Sequence, residues 1–325
     1  MPETAGVQLA TLEKSAPEGD EWVHELKLDG YRVLCHLEDG RARLVTRNGK
    51  DWTDRFPGVE EAVNALPCEA ALMDGEVVVL DERGVSSFQM LQNVLGRGGR
   101  DGAPLLYAFD LLHLDGRDLT GEPLTARKAA LRALLDRASG VAVERIRYSD
   151  HVVGQGPSFF RKACRMGVEG IISKRADGPY RPGRGRDWLK VKCTSRQEFV
   201  IAGYTDPSGS RAGLGALLLA VNDGGDLVYT GKVGTGFDTD TLLALEERLS
   251  RLERKSPPVT DPPRGAGARG VHWVRPELVA EVEFTEWTND GRIRHPSFQG
   301  LREDKDPADV VREEPTGVPG RSGAG

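Results

Sequence analysis

The chain has 325 residues, of which 38% are hydrophobic and 29% charged, a soluble globular composition whose length fits about two domains. It contains no run of about eighteen apolar residues, which excludes a membrane-spanning helix. Its first twenty residues also lack the basic and apolar regions of a secretory signal. The 44 Lys and Arg against 50 Asp and Glu give a net charge of -6, which excludes a protein that merely coats nucleic acid but permits a local basic groove.

In chain order, EWVHELKL and YRVLCHLE read as two strands joined at Asp29-Gly30, and ARLVTR as a third after the turn at Asp39-Gly40. Phe56, Val59, Val63 and Leu66 recur at helical spacing, predicting a helix from Thr53 to Leu66 with Thr53 as its cap. EAALMDGEVVVLDERG is strand-rich, and PLLYAFDLLHLDGRDL is a strand followed by a turn. Leu124 to Ala138 reads as an amphipathic helix with an exposed basic face. A short helix over Ser158 to Met166 precedes the strand GVEGIISKR. From about Thr194 the pattern changes to short strands (EFVIAGYT, GALLLAVN, DLVYTGKVG, ELVAEVEFTEWT) with one helix at Thr241 to Leu252. This fits a small OB-type barrel. A flexible joint is expected near residues 193–197, with domains at 1–193 and 194–315 and a disordered tail at 316–325.

The four cysteines, Cys35, Cys68, Cys164 and Cys193, form no CxxC motif. Their sparse use predicts reduced thiols in a cytoplasmic protein. The histidines are scattered and form no metal motif.

Strand alternation places Glu25, Lys27 and Asp29 on one side of HELKLDGYR and turns Leu26 and Leu28 toward a core. Taken alone, Lys27 is an ordinary surface lysine. A lysine at a strand end among charged groups can also be a nucleophile, once its amine is deprotonated. Glu76 in DGEVVVL and Glu169 in VEGIISK flank apolar strands, and two carboxylates converging with a lysine can hold a divalent ion against a triphosphate. In WLKVKC, Lys190 and Lys192 share one face, where their mutual repulsion is relieved by a polyanion. Residues 174–196 hold eight Lys or Arg and two Asp, together with Tyr180 and Trp188, a basic patch suited to phosphates.

Together these segments resemble the ATP-dependent DNA ligases, within the covalent nucleotidyltransferase superfamily that includes RNA ligases and capping enzymes. KLDGYR resembles the signature KxDGxR, and TRNGKDWTDRFP, DGEVVVLD, YAFDLL, VEGIISK and WLKVK follow in the family's order. SKRADGPYRPGRGRDWLKVKC and RHPSFQGLREDK are similar to the ligase domain of the bacterial end-joining branch or its small stand-alone relatives. The resemblance implies an α+β fold, with an adenylation domain of antiparallel sheets and flanking helices followed by an OB-fold β-barrel.

It further implies that Lys27 attacks the α-phosphorus of ATP and carries AMP, with Glu25 near adenine, Arg32 near the sugar or phosphate and Arg47 near the ribose. Glu76 would meet the ribose or a metal, Phe109 would stack on adenine, and Glu169 would hold Mg²⁺ or Mn²⁺. Lys174, Lys190 and Lys192 would contact phosphate. Arg294, Arg302, Asp304 and Lys305 would form a C-terminal motif closing over pyrophosphate. The implied substrate is nicked or broken double-stranded DNA, with a Ku-like end-binding partner and polymerase and phosphoesterase domains associated with the branch but not found here. A monomer is the default expectation. An RNA ligase or capping-type enzyme, and a catalytically silent end-binding module, are the alternative readings.

Overall fold

The computed structural model describes residues 6–96, 104–207 and 212–313. The tail expected at 316–325 lies outside the described residues. Two compact units divide after Cys193, the second spanning Thr194–Glu313.

The first unit runs β1 (Gln8–Leu12), β2 (Trp22–Lys27), β3 (Tyr31–Glu38), β4 (Arg41–Thr46), α1 (Pro57–Asn64), β5 (Ala70–Val78), α2 (Phe88–Gly96), β6 (Leu105–Leu114) and β7 (Arg117–Asp118). It continues with α3 (Leu124–Asp136), α4 (Val141–Arg145), β8 (Ile146–Tyr148), β9 (Val152–Val153), α5 (Gly156–Met166), β10 (Gly170–Arg175) and β11 (Gly183–Lys192). The strands form two mostly antiparallel sheets, ordered β1-β11-β10-β2-β9 and β4-β3-β5-β6-β7, with β8 added in parallel beside β6.

The outer face of the first sheet is apolar. Leu26, Ile171 and Val191 pack there with Phe159, Phe160 and Ala163 of α5. One face of the second sheet carries the large core, including Tyr31, Val33, Met73 and Leu131. A smaller cluster, with Leu34, Leu72 and Leu112 from the second sheet and Trp188 from the first, joins the two sheets. The chain crosses between them at Asp29-Gly30. A Cβ on Gly30 would lie 2.2 Å from the Val77 backbone oxygen, so this close crossing tolerates no side chain there.

Several elements differ from the sequence reading. The helix expected from Thr53 is split into a 3₁₀ turn at Thr53–Arg55 and α1, because Pro57 lacks an N–H and begins a new helix. Thr53 caps neither piece: its hydroxyl binds the Asp51 carboxylate at 2.5 Å and accepts from the Leu44 N–H at 3.0 Å. Helix α2 was not anticipated. The Asp29 carboxylate accepts its Phe88 N–H at 3.2 Å, so Asp29 turns toward α2 instead of joining Glu25 and Lys27. On α3 the basic face is not wholly exposed, since Arg127 and Lys128 are both 1% exposed.

The cysteine expectation is also corrected. Cys164 and Cys193 form a disulfide, with their Cα atoms 5.3 Å apart, while Cys35 and Cys68 are free. Sequence spacing could not show it, because 29 residues separate partners that the α5–β11 packing brings together.

The second unit contains β12 (Ser195–Thr205), β13 (Leu217–Asp223), β14 (Asp226–Val233), α6 (Thr239–Ser250), β15 (Glu253–Arg254), β16 (Val271–Val274), β17 (Val279–Phe284) and β18 (Ser297–Leu301). Strand β12 organises the sheet, pairing with β13 on one side and with β17 and then β16 on the other. Ser195, Arg196 and Gln197 are ladder residues opposite β17, so the joint expected at 193–197 contracts to the step between β11 and β12. Helix α6 is capped by Asp238 and buries Leu242, Leu245 and Leu249 in the core. The curled sheet is an OB-type barrel that stays partly open. Among the described residues no ladder joins β14 to β18, and single bonds such as Phe298 N–H to the oxygen of Thr235 (2.9 Å), just past the end of β14, bridge the gap.

Candidate active site

Register assembles the site on the inner face of the first sheet. Glu25, Ile172 and Lys190 form one row across β2, β10 and β11, and Lys27, Gly170 and Lys192 form the next. A Cβ on Gly170 would lie 2.2 Å from the Val191 oxygen, so the row between the two lysines carries no side chain at its centre. Glu169, immediately before β10, places one carboxylate oxygen against the Lys27 amine and the other 3.9 Å from the Lys192 amine. The repulsion expected between Lys190 and Lys192 is thus eased from within the protein by Glu169.

Glu25 lies at the centre of a buried clamp. Lys128 of α3 donates to Oε1 at 2.6 Å, while Lys174 of β10 and the Ser149 hydroxyl donate to Oε2 at 2.9 and 3.1 Å. Burial alone pushes the Glu25 carboxyl up, but Lys174 and Lys128 outweigh it and hold the group below the usual carboxylate range. Burial also draws the Lys174 amine below the usual lysine range, against the pull of Glu25. Lys174 stands 4.3 Å from the Phe109 ring centre and 4.2 Å from that of Trp188. Phe109 therefore packs with Trp188 and Lys174 in the cluster between the sheets.

Arg32 faces the same interior from β3. It binds Asp74 through two bonds, 2.9 and 2.5 Å, and donates to the Gln8 carbonyl at 2.7 Å. Tyr180 completes the group with a 2.6 Å bond to Asp74. Glu76 is directly opposite Arg32 in the β3–β5 ladder. Arg47 follows β4 in the turn closed by Gly49 N–H to Thr46 O at 2.9 Å.

Ile172, Ser149, Asp74 and Lys128 join the site without having been singled out in the sequence. The signal for Ile172 was present, since it alternates in phase with Lys174. A cavity of about 250 Å³ is lined by Leu26, Leu28, Tyr107, Tyr148, Ser149 and Phe159 among others, and Ser149 is the residue it shares with this group. Among the described residues no group of three or more His, Cys, Asp or Glu could hold a metal ion. Glu169 fits the other kind of site, in which a Mg²⁺-like ion is bound by one or two carboxylates, water and a substrate's phosphates.

The C-terminal residues occupy the second unit. Arg302 is held by Asp304 (2.8 Å) and Glu281 (2.9 Å), Lys305 by Glu198 (2.9 Å), and the more exposed Arg294 by Glu286 (2.8 Å). RHPSFQGLREDK is thus no simple surface turn: it supplies β18 and a largely buried ion network.

Residues 8–192 match the family described as ATP dependent DNA ligase domain, and residues 210–305 the one described as ATP dependent DNA ligase C terminal region. The chain belongs to the ATP-dependent DNA ligase family. It is 44% identical, over its whole length, to the multifunctional non-homologous end joining protein LigD of Pseudomonas aeruginosa, of which it covers 38%. It is 39% identical to the Mycobacterium tuberculosis LigD over 91% of this chain and 38% of that protein. The ligase chain therefore spans about two fifths of the length of these curated relatives. Among solved structures, a mycobacterial DNA ligase D complexed with ATP and MES matches with a TM-score of 0.70 and 37% identity, covering 95% of this chain and 98% of that one. The ligase domain of M. tuberculosis LigD matches with a TM-score of 0.53 and 38% identity at the same coverage. The ligase architecture, an adenylation domain followed by an OB-fold domain, is the α+β arrangement expected from the motifs.

Proposed function

We propose that this chain is the catalytic core of an ATP-dependent DNA ligase that seals breaks in duplex DNA during non-homologous end joining. The observation that carries this reading is the meeting of Lys27 with Glu169 on a face shared with Lys190 and Lys192. A nucleophile, a metal-binding carboxylate and two phosphate-binding cations are the parts that nucleotidyl transfer requires.

In the first step the Lys27 amine, having lost its proton, attacks the α-phosphorus of ATP. The N–P bond forms as the bond to pyrophosphate breaks. Glu169, which touches Lys27, would hold Mg²⁺ or Mn²⁺, and such an ion would supply screening of the phosphate oxygens. Lys190 and Lys192 stabilise charge developing on the α-phosphate. In the second step a DNA 5'-phosphate displaces Lys27 and takes the AMP. In the third, the neighbouring 3'-hydroxyl attacks the activated phosphate, loses its proton and releases AMP.

Glu25, Arg32, Arg47, Glu76, Phe109 and Lys174 are assigned to orienting the nucleotide, Glu25 at the base and Glu76 at the ribose or metal. The work is placed in a bacterial cytoplasm, with a Ku-like protein bringing ends together. No helix among the described residues is long and apolar enough to cross a membrane. The test is a single turnover. Protein freed of ATP after adenylation is mixed with a nicked duplex bearing a labelled 5'-phosphate. Sealing with release of AMP is expected, and failure to seal DNA while sealing an RNA nick would replace this reading with an RNA ligase.

A further inference from the structure

Glu25 faces two ammonium groups, Lys128 and Lys174, where one would balance its charge. We infer that Lys128 is a positioning residue for base selection, holding the Glu25 carboxylate so that one oxygen accepts the 6-amino group of the purine. This deepens the nucleotide-binding reading of the site and rests on it.

The argument begins with the placement of Lys128. It is 1% exposed, and its ammonium group has fixed partners: Glu25 Oε1 at 2.6 Å, the Ser149 carbonyl at 2.9 Å and the Tyr148 ring at 4.6 Å. Ser149 is itself tied to β6 by its N–H bond to Ala108 O at 2.9 Å. A lysine with its amine held on three sides has little rotamer freedom, and it transmits that rigidity to the carboxylate it binds.

The second step counts acceptor capacity. An ionised carboxylate offers about two acceptor directions per oxygen. Oε2 receives Lys174 and Ser149, whereas Oε1 receives Lys128 alone. One direction therefore remains on the oxygen that Lys128 orients. A purine carrying a 6-amino donor can satisfy it. A 6-oxo purine presents an acceptor there and leaves two oxygens opposed.

The third step is location. Glu25 is two residues from Lys27 on the same strand face, roughly 7 Å away. A nucleotide whose α-phosphorus reaches Lys27 can thus extend its base toward Glu25. Ser149, whose hydroxyl donates to Glu25, is among the residues lining the 250 Å³ cavity, together with Tyr107 and Tyr148.

The experiment measures enzyme adenylylation or inosinylation by intact mass at varied ATP and ITP, for the parent chain, Lys128→Met and Lys128→Arg. ITP differs from ATP in carrying the 6-oxo group. Lys128→Met should raise the KM for ATP and shrink the ATP-to-ITP preference about tenfold or more, with kcat for adduct formation little changed. Lys128→Arg keeps the charge, but its planar fork cannot meet Glu25 and the Ser149 carbonyl from the same point. It should shift the ratio in the same direction by less. A purely structural lysine would lower the melting temperature and the fraction of active protein without moving the ratio. An unchanged ratio in either folded variant, beside a parent that forms the AMP adduct, overturns the positioning role alone. A parent that forms no adduct with ATP overturns the nucleotide reading and this proposal with it.

Discussion

The Lys27 amine rests against one oxygen of the Glu169 carboxylate, and the Lys192 amine stands 3.9 Å from the other. One acidic group thereby bridges Lys27, the proposed nucleophile, and Lys192, a proposed phosphate-binding cation. Glu169→Ala should slow formation of the covalent adduct by about a hundredfold, since it removes both the carboxylate proposed to hold the metal and the restraint on Lys27. Single-turnover adenylation measures this. A rate within about threefold of the parent, judged against those usual losses, would remove Glu169 from the chemistry.

Asp74 is the buried partner of Arg32, with Tyr180 on the same carboxylate. Asp74→Asn keeps the shape but leaves a largely buried guanidinium without its counter-charge. The expected cost is about 3 kcal/mol of stability in the first unit. Urea unfolding followed by tryptophan fluorescence reports it through Trp188, 5.4 Å from the Arg32 guanidinium. An unchanged midpoint would mean that Arg32 finds another partner.

The Cys164–Cys193 disulfide closes a segment containing Glu169, Lys174, Lys190 and Lys192. Reducing it, or replacing both cysteines by serine, should destabilise the first unit by about 3 kcal/mol, the order expected for a loop of this length. Calorimetry with and without a dithiol, with free thiols counted by alkylation, tests this. Four alkylated thiols in the untreated protein would show that the bridge does not form.

Acid should weaken the fold through identifiable groups. His24 is fully buried, and burial draws its imidazole below the ordinary 6.5. Its neutral form is therefore favoured by folding, and stability begins to fall as pH drops below about 6.5. Glu25 and Asp304 are held below their ordinary 4.5 and 3.8. Burial opposes this in both, but the cations beside them prevail. Their contribution is complete above those ordinary values and declines as pH falls through the lower folded ones. Melting temperature against pH should decline first below about 6.5 and more steeply below about 4.5. A flat profile between pH 7 and 4 would contradict the assignments.

Much of the site was legible because strand alternation and ladder register are local rules. Lys27 with Glu25, and Lys190 with Lys192, could be placed on shared faces from spacing alone. The missed parts depend on long-range packing. Lys128 looked like one of several surface cations on an amphipathic helix. Only the approach of α3 to β2, 103 residues earlier, turns it into the partner of Glu25. The disulfide escaped for the same reason. Asp29 was misplaced because its side chain serves α2, 59 residues on in the sequence, where it accepts the Phe88 N–H beside the Ser87 cap. In the second unit the individual strands were readable, but the open seam of the barrel depends on which strands fail to pair.

The most direct test is the intact mass of the protein after exposure to ATP and Mg²⁺ or Mn²⁺, beside Lys27→Ala, both first stripped with pyrophosphate. A covalent AMP adduct on the parent and none on the variant is the predicted result. No adduct on folded, stripped parent with either metal, or an equal adduct on Lys27→Ala, would contradict the assignment of Lys27 as the nucleophile of a DNA ligase.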